Sequence, residues 1–465
     1  MYRFGEHIIR VVEKSATPGL LAFLSSKAAA RLAANGALVQ SRCLEREEVD
    51  QVLAALTRGA VLEREIATVV EHERIPFPCF PYEWPPEMLA AAGHLTLQIA
   101  ETLLDEGFGL KDATPYNVLF RGPQPVFVDV LSAELREAND PTWLPYAQFI
   151  RTFVLPLLVN RQCGIPSSLY LFDRRDGIEP EEVYRLLTFR AKLWPPALTH
   201  VTLPICLAKI HNPSNTTIYC KKSAANLAQS QFVLRSMFRT LHKSLEKVNA
   251  SGKQHSAWTG YMETHTYSAK AFEAKRLFVE QALKDCRVTW LLDVGCNTGL
   301  FSIDAAKTGA NVVAVDTDPV VIGSLWRKAY QDRLNILPLV VNIARPTPPT
   351  GWRNQEAPSF LERCRSQFDA VLMLALIHHI MATEGIPLLE IFRLANDMTR
   401  KFLIIEYVDP ADSMFKRLLR GREALFGNLS REAFEAAGAR FFDIVRSQPL
   451  DLTRCVYVMV KKELH

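Results

Sequence analysis

Leu291-Leu292-Asp293-Val294-Gly295-Cys296-Asn297-Thr298-Gly299 is an apolar run that ends in an acid and a turn bracketed by two glycines. Val312-Val313-Ala314-Val315-Asp316 follows, a second apolar run that ends in another acid. Two buried strands with a helix between them make a Rossmann-like βαβ unit, the arrangement that binds a nucleoside-containing cofactor. The first turn lets the ligand approach the backbone, and the second acid takes the ribose hydroxyls.

The turn departs from the dinucleotide pattern. G-x-G-x-x-G seats a pyrophosphate, but here the middle position is Asn297 and the third glycine is absent. S-adenosylmethionine (SAM) carries no phosphate, so the looser turn suits it better. Gly295 and Gly299 let the backbone lie close to a ligand, and the helix that follows offers free N–H groups. Asp293 is expected to orient the turn or, through water, to meet the amino acid end of SAM. Asp316 is expected on the ribose diol, and Asn342, after the third strand, on the adenine edge. The plainer alternative is an α/β domain whose glycines only make a tight turn.

Outward from this motif the rhythm is helix and strand in alternation. Helices are predicted at Lys270–Lys284, Gly299–Lys307, Pro319–Asp332, Phe360–Cys364 and Pro387–Met398. Strands are predicted at Thr289–Val294, Asn311–Asp316, Ile336–Val341, Asp369–Leu374 and Phe402–Glu406. Ser430 caps a helix at Arg431–Ala437, and Arg440–Arg446 and Cys455–Val460 close the chain as β segments. Such a series implies a mostly parallel sheet covered by helices, with one antiparallel edge.

Ligands in open α/β sheets lie at the carboxyl ends of the strands. Met373-Leu374-Ala375-Leu376-Ile377-His378-His379 closes the fourth strand there, so His378 or His379 is expected to face the reacting methyl group. A histidine near neutrality can take a proton from a hydroxyl or amine. The structural alternative is that one packs and the other caps a helix. Glu406 and Asp409, after strand five, and Tyr261 are further candidates for substrate contact. Glu406 and Asp409 could equally form a solvated turn. Trp258, Tyr261, Tyr267 and Lys275 could lid the cofactor or simply pack. No Asn/Asp-Pro-Pro-Tyr stretch is present, which argues against methylation of amino groups on nucleic acid bases.

The chain has 465 residues, 48% hydrophobic, enough for two to three domains. Its net charge of +4, from 54 basic and 50 acidic residues, gives no large electrostatic footprint for nucleic acid. Nine scattered cysteines without a CxxC point to reduced thiols and a cytoplasmic setting, with no cysteine metal site. No signal peptide pattern opens the chain, and Gly19–Leu24 and Phe153–Val159 are too short to span a bilayer.

The N-terminal part, residues 1–245, mixes helical and strand-like patterns and reads as an α+β domain; 246–465 is the second domain. Helices are expected at Ala28–Ala34, Arg42–Leu62 and Glu87–Glu106, and a hairpin at Asn117–Phe120 and Val126–Val130. Asp112, Asn117 five residues on, and Asp129 at the end of the next strand resemble the protein-kinase catalytic loop and its metal-binding acid. That likeness implies Asp112 as base and Asn117 and Asp129 as magnesium ligands, with Mg-ATP as the ligand. Yet no Gly-rich phosphate loop or Val-Ala-Ile-Lys strand is present, and Asp129 is followed by Val130-Leu131. A degenerate kinase-like or purely structural domain is the preferred reading, in which Asp112 and Asn117 make local turn bonds.

Residues 260–465 resemble the class I SAM-dependent methyltransferases, and Leu292–Gly299 carries most of the likeness. That resemblance implies a Rossmann-like, seven-stranded sheet. The whole chain is similar to a two-part bacterial family, through Pro81-Tyr82-Glu83-Trp84, Leu110–Leu119, Pro125–Ser132, Ala375–His379 and Ile405–Asp409. A rhizobial nodulation protein belongs to that family, which implies a role in host-specific nodulation. The expected activity is methyl transfer from SAM to a small molecule, glycan, lipid intermediate or protein. The alternatives are a non-catalytic SAM-binding or regulatory protein, and a bifunctional enzyme that also uses ATP.

Overall fold

The computed structural model describes residues 2–4, 7–56, 66–210, 223–249, 268–419, 421–422, 426 and 428–463. Tyr261, Trp258 and Tyr267 lie outside them. The chain divides into two compact units. The first is Met1–Tyr82, Pro86–Arg121 and Pro125–Gly252; the second is Glu83–Pro85, Gly122–Gln124 and Lys253–His465.

The first unit opens with strands β1 (Tyr2–Phe4), β2 (His7–Glu13), β3 (Ser41–Cys43) and β4 (Ile66–His72), an antiparallel sheet in the order β1-β2-β4-β3. The predicted helix from Arg42 is corrected here. Arg42 sits in β3 opposite Glu71 of β4, 2.5 Å from its carboxylate. The helix runs over Arg46–Leu56, and the Glu48 carboxylate accepts the Glu45 N–H at 3.0 Å where it begins. Residues 57–62 of the expected helix lie outside the described residues. Further on come β5 (Phe108–Leu110), β6 (Val118–Arg121), β7 (Gln124–Phe127) and β8 (Ala133–Leu135). β6 and β7 form the predicted hairpin with its ends shifted, and β5 pairs with β8. A buried helix, Pro86–Leu104, packs on a second one, Leu227–Asn249.

The second unit is a doubly wound sheet. Its strands are β9 (Trp290–Val294), β10 (Asn311–Asp316), β11 (Ile336–Val340), β12 (Phe368–Met373), β13 (Thr399–Val408), β14 (Phe442–Pro449) and β15 (Arg454–Lys461). Their order is β11-β10-β9-β12-β13-β15-β14. The first five are mutually parallel, and β15 runs antiparallel to both β13 and β14. The reversed strand therefore lies one place in from the rim, not on it. Its residues 454–459 are all buried, and the continuous apolar run from Cys455 to Met459 needs cover on both faces. Pro338 lies within the rim strand β11, and the other rim strand, β14, is irregular between Ile444 and Arg446 and ends at Pro449.

Helices Ala269–Asp285, Leu300–Lys307, Pro319–Gln331, Phe360–Cys364, Leu388–Met398 and Arg431–Gly438 follow the expected pattern within a residue or two. Ser430 accepts the Ala433 N–H as the predicted cap. Two helices the pattern did not reveal, Ile377–Glu384 and Ser413–Leu419, follow β12 and β13. Both stand at the carboxyl edge, where the site is built.

Candidate active site of the second unit

The turn after β9 is fixed by the end of β10. The Gly295 and Cys296 N–H groups donate to the Val315 carbonyl at 2.8 and 3.1 Å. The Asn297 N–H donates to Asp316 Oδ2 at 3.0 Å, and the Asp318 N–H to Asp316 Oδ1 at 3.1 Å. Burial pushes the Asp316 carboxyl up, while these backbone donors favour its charged form.

Gly295 (φ +76°), Asn297 (φ +50°) and Gly299 (φ +80°) all take the left-handed region. Asn297 thus adopts a conformation that suits glycine, and its Oδ1 accepts the Thr298 N–H at 2.6 Å. Asparagine tolerates that region because its side chain bonds locally, so the departure from glycine leaves the turn intact. Asn342 follows β11, and its Oδ1 accepts the Ala344 N–H at 2.9 Å. Asp293, Gly295, Asn297, Gly299, Asp316 and Asn342 therefore come together on the carboxyl ends of three adjacent strands.

Asp293 is buried, and its Oδ2 accepts from Ser302 Oγ at 2.6 Å, tying β9 to the helix after the turn. Burial pushes its pKa up from 3.8 to about 6. The folded state therefore binds more protons than the unfolded chain between about pH 4 and 6, and stability falls as pH rises through that window. Asp293→Asn keeps an acceptor for Ser302 and removes the buried charge. It is expected to stabilise the protein above pH 6 by about 1–3 kcal/mol. The gain should fade below pH 4, as denaturant melts at several pH values would show; a constant gain at all pH values would contradict the assignment.

The other half of the edge is charged and dry. Glu406 of β13 is fully buried. Its Oε2 receives Lys275 Nζ at 2.6 Å and the Ala375 N–H at 2.9 Å, and Arg454 Nη1 lies 3.4 Å from Oε1. Arg454 Nε reaches Asp412 Oδ2 at 3.0 Å, and Asp412 Oδ1 caps Met414 and Phe415. The expectation that Glu406 meets substrate is corrected: its carboxylate is turned inward to these cations. Lys275, expected as lid or core, is a core ion. Asp409 accepts from Tyr407 Oη at 2.9 Å and from the Ala411 N–H at 2.8 Å, holding the turn after β13.

His378 and His379 open the helix after β12, with ring centroids 4.3 Å apart. His378 is fully buried, and neither ring nitrogen has a hydrogen-bond partner among the described residues. Burial, then His379, Arg454 and Lys275, hold its pKa well below the ordinary histidine value. Burial and Arg454 bring His379 down to about 4. Both imidazoles are neutral at physiological pH, so a histidine titrating near neutrality is not what the structure provides. Arg454 and Asp412 were missed in the sequence. The one available signal was a charged residue opening the apolar run Cys455–Val460.

In the first unit Asp112 is exposed, and its backbone exchanges hydrogen bonds with Ser132 Oγ. The Asn117 side-chain nitrogen is buried without a partner among the described residues. Asp129 is ion-paired with Arg10 of β2. A guanidinium on the proposed metal acid does not fit a magnesium site. No group of three or more His, Cys, Asp or Glu among the described residues is placed to hold a metal ion.

Residues 292–397, from β9 to the helix before β13, match the methyltransferase domain family. The second unit carries a methyltransferase domain. Over 438 residues the chain is 29% identical to the nodulation protein NoeA of Rhizobium meliloti (strain 1021), covering 94% of this chain and 88% of that protein. Among solved structures, the methyltransferase is similar to the N-methyltransferase NodS of Bradyrhizobium japonicum WM9, at 12% identity over 42% of this chain and 99% of that one, with a TM-score of 0.31. A bifunctional kinase-methyltransferase, WbdD, aligns at 17% identity over 45% of this chain and 43% of that one, with a TM-score of 0.29. No described helix of the methyltransferase or of the first unit is long and apolar enough to cross a membrane.

Proposed function

We propose that residues 246–465 bind SAM at the ends of β9, β10 and β11 and pass its methyl group to an acceptor seated at the ends of β12 and β13. The observation that carries this reading is the Asp316 carboxylate, fixed by the Asn297 and Asp318 N–H groups beside the glycine turn. Asp316 holds the ribose diol. Gly295, Asn297 and Gly299 line the turn, Asn342 meets the adenine edge, and Asp293 orients the turn through Ser302.

The sulfonium supplies an activated methyl group, so the protein mainly aligns the two reactants and excludes water. His378 and His379 act as neutral imidazoles. A ring nitrogen accepts a hydrogen bond from the acceptor's O–H or N–H and orients its lone pair. The unpartnered nitrogens of His378 support this role, because a buried polar atom is costly unless something satisfies it.

Residues 1–245 form a separate domain that selects or positions the acceptor, which is a small molecule, glycan, lipid intermediate or protein. The Arg10–Asp129 pair counts against Mg-ATP chemistry in that domain. Similarity to NoeA supports a place in host-specific nodulation.

Calorimetry with SAM tests the site. Asp316→Ala should weaken binding by about 1–3 kcal/mol, the value of a lost hydrogen-bonding partner in a buried site. Unchanged affinity would remove the ribose assignment. Incubation with labelled SAM and cell extract would then identify the acceptor.

A further inference from the structure

We propose that Glu406 is a positioning residue for the methyltransferase: through the Ala375 N–H it holds the turn after β12 in a left-handed conformation that seats Leu376 against the cofactor loop. This rests on SAM occupying the turn Gly295–Gly299 as proposed above.

Ala375 has φ +50°, a conformation that its Cβ disfavours. Such strain persists only where the surroundings over-determine it, and it concentrates at functional positions. The restraint here is visible. The Ala375 N–H donates to Glu406 Oε2 at 2.9 Å, and the same oxygen takes Lys275 Nζ at 2.6 Å. The side chains of Lys275, Glu406 and Arg454 are 4%, 0% and 1% exposed. A carboxylate enclosed by two cations away from water has no low-energy alternative position. The backbone that bonds to it is fixed in turn.

The consequence appears one residue on. A Cβ at position 295 would lie 3.1 Å from Leu376 Cδ1, so Leu376 rests directly on the backbone of the cofactor turn. Two residues later stands His378. One buried carboxylate thus sets both the wall of the SAM turn and the start of the helix that carries the imidazoles. Fold stability alone does not demand this arrangement, since well-packed apolar residues commonly replace a buried ion pair without loss.

The test uses the full-length protein and S-adenosylhomocysteine as probe. The double variant Lys275→Met/Glu406→Leu removes the pair together, leaves Arg454 with Asp412, and deprives the Ala375 N–H of its acceptor. It should melt within a few degrees of the parent yet bind the probe at least about tenfold more weakly. Adding Ala375→Gly should restore affinity to within about threefold, because glycine takes the left-handed region without steric cost. Parent-like affinity in the double variant, or no recovery on adding the glycine, would overturn the proposal. Should the double variant not fold, Ala375→Val in the parent leaves every ion in place and strains the same turn. It should cost about tenfold in affinity, and unchanged affinity would again overturn the proposal. Failure of the parent itself to bind the probe would instead remove the cofactor reading and this inference with it.

Discussion

Glu406→Leu, made alone, is expected to lower the stability of the methyltransferase domain by about 3–5 kcal/mol, the cost of leaving a buried charge without its partner. The change takes from Lys275 the carboxylate at 2.6 Å and from Arg454 the one at 3.4 Å, while the Arg454–Asp412 pair stays in place. Both cations are buried. Urea titration would measure the loss, and adding Lys275→Met should recover most of it. A loss under about 1 kcal/mol would mean that water reaches the cluster in solution, as for an exposed pair.

The second large effect is expected from Gly299→Ala. Position 299 has φ +80°, and a Cβ there would lie 2.4 Å from Leu325 Cδ1. Leu325 is itself in the core and cannot swing aside. Left-handed strain and overpacking add to about 2–4 kcal/mol. The clash also displaces the turn proposed to hold SAM, so SAM affinity should fall together with thermal stability. Asn297→Gly is the informative contrast: that position is already left-handed and should accept glycine with little loss. Equal damage from the two changes would show that the Asn297 side chain, through its bond to the Thr298 N–H, holds the turn as firmly as the left-handed backbone does.

The turn residues at the carboxyl ends of β9 and β10 were legible as positions because their pattern is local. Asp293, Gly295, Gly299 and Asp316 sit at the ends of apolar runs, and strand ends with turn residues announce themselves in a single pass. Asn342 was placed by the same logic. The buried charge cluster at the ends of β12 and β13 was not legible. Lys275, Glu406, Asp412 and Arg454 come from separate elements, and Lys275 and Glu406 are 131 residues apart. No spacing rule links them, so Glu406 read as a substrate contact and Arg454 went unnoticed. The histidines lie past the end of β12, in the first turn of the helix that follows it. Their lowered basicity comes from burial and from Arg454, which only tertiary structure supplies. The sheet of β1 to β4 was hidden for another reason. β2 reads His-Ile-Ile-Arg-Val-Val-Glu, with apolar residues in pairs rather than in alternation, and β3 has three residues embedded in a helix-forming stretch.

The two rims of the seven-stranded sheet bear on how this protein behaves when crowded. Pro338 leaves β11 one N–H short, and β14 breaks its ladder between Ile444 and Arg446 before ending at Pro449. Arg446 pairs with Asp285 and covers the Phe278 ring, drawing the irregular stretch toward the body of the domain. A strand from another molecule would meet missing donors and a misaligned ladder at either side. Growth of the sheet by lateral recruitment is thereby discouraged, and the domain can stay unaggregated at concentrations where a straight, proline-free rim would invite fibril-like stacking.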